Sequence, residues 1–249
     1  MTVFNHPQSK SYGRIAGLFY IVIAVAGVFS IAYVPSVVVV PGDPAATVAA
    51  IDANAGLFGL GVVGDAVVML SEIMLTAMLY FMFRPVSPAL ALAAAFARLT
   101  MVTVMAAMLF FTALALDTMG GAVYLGVFDV AQREALALLF LDAHDFGVVI
   151  WQLFFALHLV LLGYLVLRSG AFPKILGFAM TVGAFGYLLD SAVVSGIADS
   201  VALTYASYGL LGLVALGEIG FGLWLLIRGP GTFTHRDGAR ALEAGPVAA

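Results

Sequence analysis

Asp65, Glu72, Arg98, His144, Asp145, Gln152, His158, Asp190 and Glu218 all fall inside runs otherwise built of Leu, Val, Ala, Gly and Phe. Ionisable side chains in an apolar setting cost free energy unless they pair or meet water, so these residues carry whatever chemistry the chain has. Counted at about 1.5 Å of rise per residue, Glu72, Arg98, His158 and Glu218 share a mid-membrane level. Asp65, His144, Asp145 and Asp190 fall nearer the outer boundary, with Gln152 on the stripe of Asp145. The spacing therefore predicts a polar interior in two tiers.

Helical angles support that reading. Asp65 and Glu72 nearly eclipse each other, and Thr76 continues their stripe one turn on. His144 and His158 lie within about 40° of each other around their axis. They are also about 21 Å apart along it, too far to share one metal ion. Asp142 points almost opposite His144, toward water or headgroups.

Arg98 is the most demanding of these residues, because a guanidinium keeps its proton and mid-membrane needs a carboxylate. Glu72 is the first candidate partner and Glu218 the second. The pair is open to two readings: an ion pair that locks helix packing, or an anion clamp for a substrate carboxylate or phosphate. In the outer tier, His144 with Asp65, Asp145 and Asp190 is open to three: a proton relay, a hydrogen-bonded structural knot, or a metal site. Zinc would use His144, Asp65 and Asp190 plus water, although no HxxxH or HxxEH spacing supports it. His158 alone reads as a helix-to-helix hydrogen bonder.

The elements that must position these groups follow from composition. Of 249 residues, 63% are hydrophobic and 10% charged, with mean hydropathy +1.12, which describes a polytopic membrane protein and excludes an ordinary soluble domain. The sequence predicts an all-α fold of six transmembrane helices, near residues 13–33, 56–83, 89–116, 144–167, 172–194 and 202–227. The fourth could start as far back as Ala131. Residues 1–12 read as a cytoplasmic tail, 13–228 as the transmembrane domain and 229–249 as a disordered cytoplasmic tail.

Lys10, Arg14, Arg84, Arg168, Lys174, Arg228, Arg236 and Arg240 flank one set of helix ends. Asp43, Asp52, Asp117, Asp129 and Asp199 flank the other, with Arg133 the one base among them. The positive-inside rule then puts both termini in the cytoplasm. Asp43 and Pro44 would start a short extracytoplasmic helix, Asp129 another, and Arg84-Pro85-Val86-Ser87-Pro88 an inner turn. Tyr12, Tyr33 and Trp224 read as interfacial anchors, and Met69, Met74, Met78, Met101, Met105 and Met108 as core. Gly13, Gly17, Gly56, Gly59 and Gly64 read as points of close helix approach.

There is no cysteine, so disulfides, thiolate metal sites and cysteine nucleophiles are excluded. No phosphate loop, dinucleotide fingerprint, serine elbow or nucleic-acid patch occurs. An echo links Gly56-Leu57-Phe58-Gly59-Leu60…Gly64-Asp65 with Gly209-Leu210-Leu211-Gly212-Leu213…Gly217-Glu218. It fits either an old duplication of helical hairpins or the commonness of Gly and Leu in membrane helices.

Several segments together resemble a family. Val40-Pro41-Gly42-Asp43-Pro44-Ala45-Ala46-Thr47, Phe83-Arg84-Pro85-Val86 and Leu139-Phe140-Leu141-Asp142-Ala143-His144 are similar to the bacterial membrane proteins grouped as domain of unknown function 4386. So are His158-Leu159-Val160-Leu161-Leu162-Gly163-Tyr164, Phe172-Pro173-Lys174-Ile175-Leu176-Gly177 and Tyr187-Leu188-Leu189-Asp190-Ser191. Arg98, His144, His158 and Asp190 look like family positions; Glu72 and Asp145 match less securely. The resemblance implies a multi-pass protein of a bacterial cytoplasmic membrane and brings no established activity. A looser resemblance is to intramembrane hydrolases of the alkaline-ceramidase and progestin-receptor type, with Ser71, Asp65 and His144 in the matching parts. Those proteins have seven helices and a histidine triad, which this chain lacks.

The leading expectation is a membrane protein that binds or moves a small solute, ion or proton through the polar interior. The alternatives are a metal-dependent intramembrane hydrolase acting on a lipid-like substrate, and a structural or assembly protein. The bilayer is the expected partner, with a small-molecule or ion ligand and no nucleic acid; the sequence leaves the oligomeric state open.

Overall fold

The computed structural model describes residues 3–120, 123–198 and 200–234. Among these residues the chain is helical and has no strand, as expected of a backbone that must satisfy its own polar groups in lipid. The helices are α1 (Lys10–Val38), α2 (Pro44–Ala53), α3 (Ala55–Phe83), α4 (Pro88–Met119), α5 (Val130–Ser169), α6 (Lys174–Gly183), α7 (Phe185–Val194) and α8 (Val201–Ile227). Six spans are long and apolar enough to cross a membrane: α1, α3, α4, α5, the α6–α7 pair and α8. Large apolar side chains stand exposed along them, among them Phe96, Phe110 and Leu216 at 60%, 71% and 73%. A lipid-facing surface has that character and a water-facing one does not.

Helix α1 and the fifth span differ in detail from expectation, whereas α5 and α2 start where the sequence places them. Helix α1 extends at both ends, and its Val28–Tyr33 segment winds as a π-helix. Helix α5 does begin near Ala131, where Asp129 and Gln132 form a reciprocal cap: Asp129 Oδ1 accepts from the Gln132 N–H at 2.8 Å, and Gln132 Oε1 from the Asp129 N–H at 3.0 Å. The fifth span is interrupted at Ala184, between α6 and α7. Helix α2 forms after Asp43, whose carboxylate accepts from the Ala46 N–H at 2.8 Å.

The chain divides into two compact units. Of the described residues, the first comprises those within 3–21, 71–101 and 152–234, the second those within 22–70 and 102–151. In the first unit, α6 and α7 pack on α8 by close backbone approach. A Cβ at Gly183 would lie 2.5 Å from Val214 N, and one at Gly17 of α1 only 2.3 Å from Leu226 N. Such approach is what small residues permit in membrane helices. Phe83, Phe172, Phe221 and Phe233 form an aromatic cluster, with Phe172 and Phe221 ring centroids 5.0 Å apart.

Phe233 belongs to a segment that the sequence assigned to a disordered tail. Gly231 N donates to Ala171 O at 2.9 Å and Thr234 N to Ser169 O at 3.0 Å, so residues 229–234 are tied to the turn between α5 and α6. Residues 235–249, with Arg236 and Arg240, lie outside the described residues, as does Asp199. Tyr12 is not an interfacial anchor: it is 2% exposed and its hydroxyl donates to Met78 O at 3.2 Å. Trp224 carries Arg228 over its ring at 5.9 Å, and Tyr33 is exposed.

In the second unit, Val34, Val38 and Ile51 form a buried cluster against Phe29, Leu57, Phe58 and Leu116. Gly64 lets Ser30 come close, since a Cβ there would meet Ser30 Cβ at 2.9 Å. Gly56 and Gly59 face open space and permit no such approach. In the first unit, Met78 and Met101 are core, whereas Met74 is 44% exposed.

Candidate functional site

The first unit builds a buried knot around Arg98. The guanidinium Nε donates to Glu72 Oε2. Its Nη1 lies 2.8 Å from His158 Nε2. A guanidinium has no acceptor, so Nε2 takes the bond on its lone pair and the ring proton sits on Nδ1. That proton reaches Ala94 O at 2.9 Å. His158 is thereby fixed as a neutral imidazole with both nitrogens engaged. The rings of Tyr20 and Phe155 lie 5.4 and 6.0 Å from the guanidinium carbon, within cation–π reach.

Arg98, Glu72 and His158 are all buried, Arg98 at 1% exposure. Glu218 on α8 is half-buried and within electrostatic range of Arg98 and Glu72. Glu72, Arg98 and His158 are thus brought together, with Glu218 near them. Thr76, expected to extend its stripe, instead donates to its own helix at Glu72 O, 2.6 Å away. A void beside His158 measures about 10 Å³, room for about one water and no more.

The expected outer cluster divides between the units. Gln152 and Asp190 belong to the first, where Gln152 Nε2 donates to Asp190 Oδ2 at 2.8 Å and Gln152 Oε1 accepts from the Ser191 hydroxyl. Asp65, His144 and Asp145 belong to the second. The reason lies on α7: Asp190 and Ser191 offer Gln152 both an acceptor and a donor, a match that an apolar run conceals.

Asp65, His144 and Asp145 line a cavity of about 540 Å³ within the second unit. Its walls are mostly apolar, Val34, Val38, Ile51, Phe58, Met105 and Met108 among them. Its polar lining includes Ser30, Asp43, Thr47, Asp65, Thr112, Asp142, His144 and Asp145. The His144 ring is held through Nδ1, which lies 3.2 Å from both Thr112 Oγ1 and Met108 O. Asp65 lies in electrostatic range of His144 and beside the Ser30 hydroxyl. Asp142 is exposed, as expected, yet it lines the same cavity as His144.

The 39–43 loop also lines the cavity and is pinned by Thr47, whose hydroxyl accepts from Val40 N at 3.0 Å and packs against Val40 O and Asp43 O. The sequence gives little warning of the cavity itself. Ser30 and Thr112 are single small polar residues in apolar helices, and only the π-helical segment marks Ser30 out; such segments are frequent at functional sites.

Zinc held by His144, Asp65 and Asp190 does not fit this arrangement. Asp190 is engaged by Gln152, and among the described residues no group of three His, Cys, Asp or Glu side chains is placed to hold one ion. Ser71 lies in the first unit, buried, apart from the cavity lining.

A family model described as domain of unknown function (DUF4386) matches residues 15–229. A protein from Archaeoglobus fulgidus, itself described as uncharacterized, is 28% identical over 170 residues, covering 68% of this chain and 83% of the relative. No solved structure matches.

Proposed function

The chain belongs to the domain of unknown function 4386 family, and within that family we propose that it is a membrane protein that binds a small apolar or amphipathic molecule in the cavity of its second unit. The observation that carries this reading is the cavity: about 540 Å³, walled by Val, Ile, Leu and Met, with polar groups gathered at Ser30, Asp65 and His144. Small-molecule sites have that size and that balance of apolar wall and few polar groups. The Arg98 knot is the structural lock of the first unit, because its charges are spent on protein partners and the void beside it is too small for a solute. In this reading both termini are cytoplasmic and the membrane is the bacterial cytoplasmic membrane, following the distribution of basic residues.

Trp151 lines the cavity and Trp224 does not, so a Trp224→Phe protein carries one reporter at the site. Neutral dodecanol added to that protein in phosphatidylcholine nanodiscs is expected to shift Trp151 emission saturably, and Ala115→Phe, which fills the cavity, to abolish the shift. A shift unchanged by Ala115→Phe, or none at all, would overturn the reading.

A further inference from the structure

The cavity's polar region carries one sign of charge. The residues of the second unit include Asp43, Asp52, Asp65, Asp117, Asp129, Glu134, Asp142 and Asp145, against the single base Arg133. Among the described residues no lysine or arginine lines the cavity. Asp43 is spent on capping α2, which leaves Asp65, Asp142 and Asp145 as carboxylates facing the space. Asp142 and Asp145 are exposed, whereas Asp65 is half-buried, with the Ser30 hydroxyl beside it and the His144 ring in electrostatic range.

A second observation points to a ligand at the same place. Ser30 is 5% exposed and lines the cavity. Its hydroxyl oxygen is enclosed, with the Asp65 carboxylate as the polar group beside it. The hydroxyl has one proton to give that carboxylate, whose remaining lone pairs stay open to a donor from the cavity. The π-helical turn of Val28–Tyr33 brings it there, and Gly64 makes room for it. Beyond this polar region the wall is Val34, Val38 and Ile51, the buried apolar cluster of the unit.

We infer that the cavity takes a single-chain amphiphile with an ammonium-type cationic head, the head held at Asp65 and the tail along Val34, Val38 and Ile51. The inference rests on the reading of the cavity as a small-molecule site and names the charge of its ligand. An ammonium supplies a donor that the Asp65 carboxylate can accept, and a partly desolvated carboxylate attracts it more strongly than water would allow. An anionic head would meet three carboxylates and gain no base to offset them.

The test compares three probes of one chain length on the Trp224→Phe protein in phosphatidylcholine nanodiscs: dodecylammonium, dodecanol and dodecanoate. Dodecylammonium is expected to shift Trp151 emission at a concentration about tenfold below that for dodecanol. Dodecanoate should bind weakest. Asp65→Asn should bring the cationic and neutral probes together while leaving dodecanol unchanged, and Ser30→Ala should weaken the cation by less. Equal binding of cation and alcohol, both lost in Ala115→Phe, would overturn the charge assignment and keep the small-molecule site. Tighter binding of dodecanoate would overturn the assignment likewise. Loss of response to every probe would overturn both. Thermal unfolding of each variant separates a lost site from a lost fold.

Discussion

Arg98 has donors enough for several partners and no means of shedding its charge, so its surroundings dictate what it is for. Glu72 takes Nε, His158 takes Nη1, and Tyr20 and Phe155 supply ring faces. Removing one member strands the others. Arg98→Leu leaves the Glu72 carboxylate buried and alone, an expected loss of about 3–5 kcal/mol, whereas Glu72→Leu with Arg98→Leu should recover most of it. Thermal unfolding of the two single variants and the double variant measures this; a double variant no more stable than Arg98→Leu would contradict the lock. His158→Leu is expected to cost about 1–3 kcal/mol through the stranded Arg98 donor and Ala94 carbonyl. The pairing of Glu72, Arg98 and His158 is legible in the sequence because charged groups at one helical depth in lipid have few other choices. The aromatic faces of Tyr20 and Phe155 are not legible, because one aromatic residue in an apolar run looks like another. Gln152 meets Asp190, a member of its expected tier, but its second partner Ser191 is set by where α7 packs, which periodicity does not encode.

The helices themselves follow from apolar run length, and their count and order read directly from the sequence. Their irregularities do not. The π-helical turn in α1 and the break at Ala184 are set by what the neighbouring helices accept, and residues such as Val28–Tyr33 carry no breaker to announce them. Glycines show the same limit. Gly17 and Gly183 stand where a Cβ would collide with backbone 2.3 and 2.5 Å away, while Gly59 faces open space, yet all three look alike in sequence. Gly17→Ala and Gly183→Ala are therefore expected to destabilise by about 1–3 kcal/mol. Gly59→Ala should be neutral or stabilising by up to about 1 kcal/mol, as in any open helical position. Chemical or thermal unfolding in detergent compares the three, and equal effects would refute the packing described for α1 and α6 on α8. Phe233→Ala, which removes a ring of the four-phenylalanine cluster, should cost about 3–5 kcal/mol, a loss that a disordered tail beginning at Gly229 would not produce.

Across the whole molecule, charge is sorted between the units. Among the described residues the first holds Lys10, Arg14, Arg84, Arg98, Arg168, Lys174 and Arg228 alongside the acids Glu72, Asp190 and Glu218, while the second holds eight acids and the one base Arg133. With no native cysteine, single cysteines report sidedness cleanly. Ala89→Cys, in the α3–α4 turn region, is expected to resist a membrane-impermeant maleimide in intact cells, and Ala45→Cys in α2 to react; the reverse pattern would overturn the proposed orientation. The sorting also frames the account's central claim, that the first unit locks the fold and the second holds the ligand. Native mass spectrometry of gently extracted protein tests it most directly. The account predicts a bound small molecule retained by the Glu72→Leu/Arg98→Leu variant and lost from Ala115→Phe. A bound molecule that persists in Ala115→Phe, or that disappears only when the Arg98 knot is removed, would contradict it.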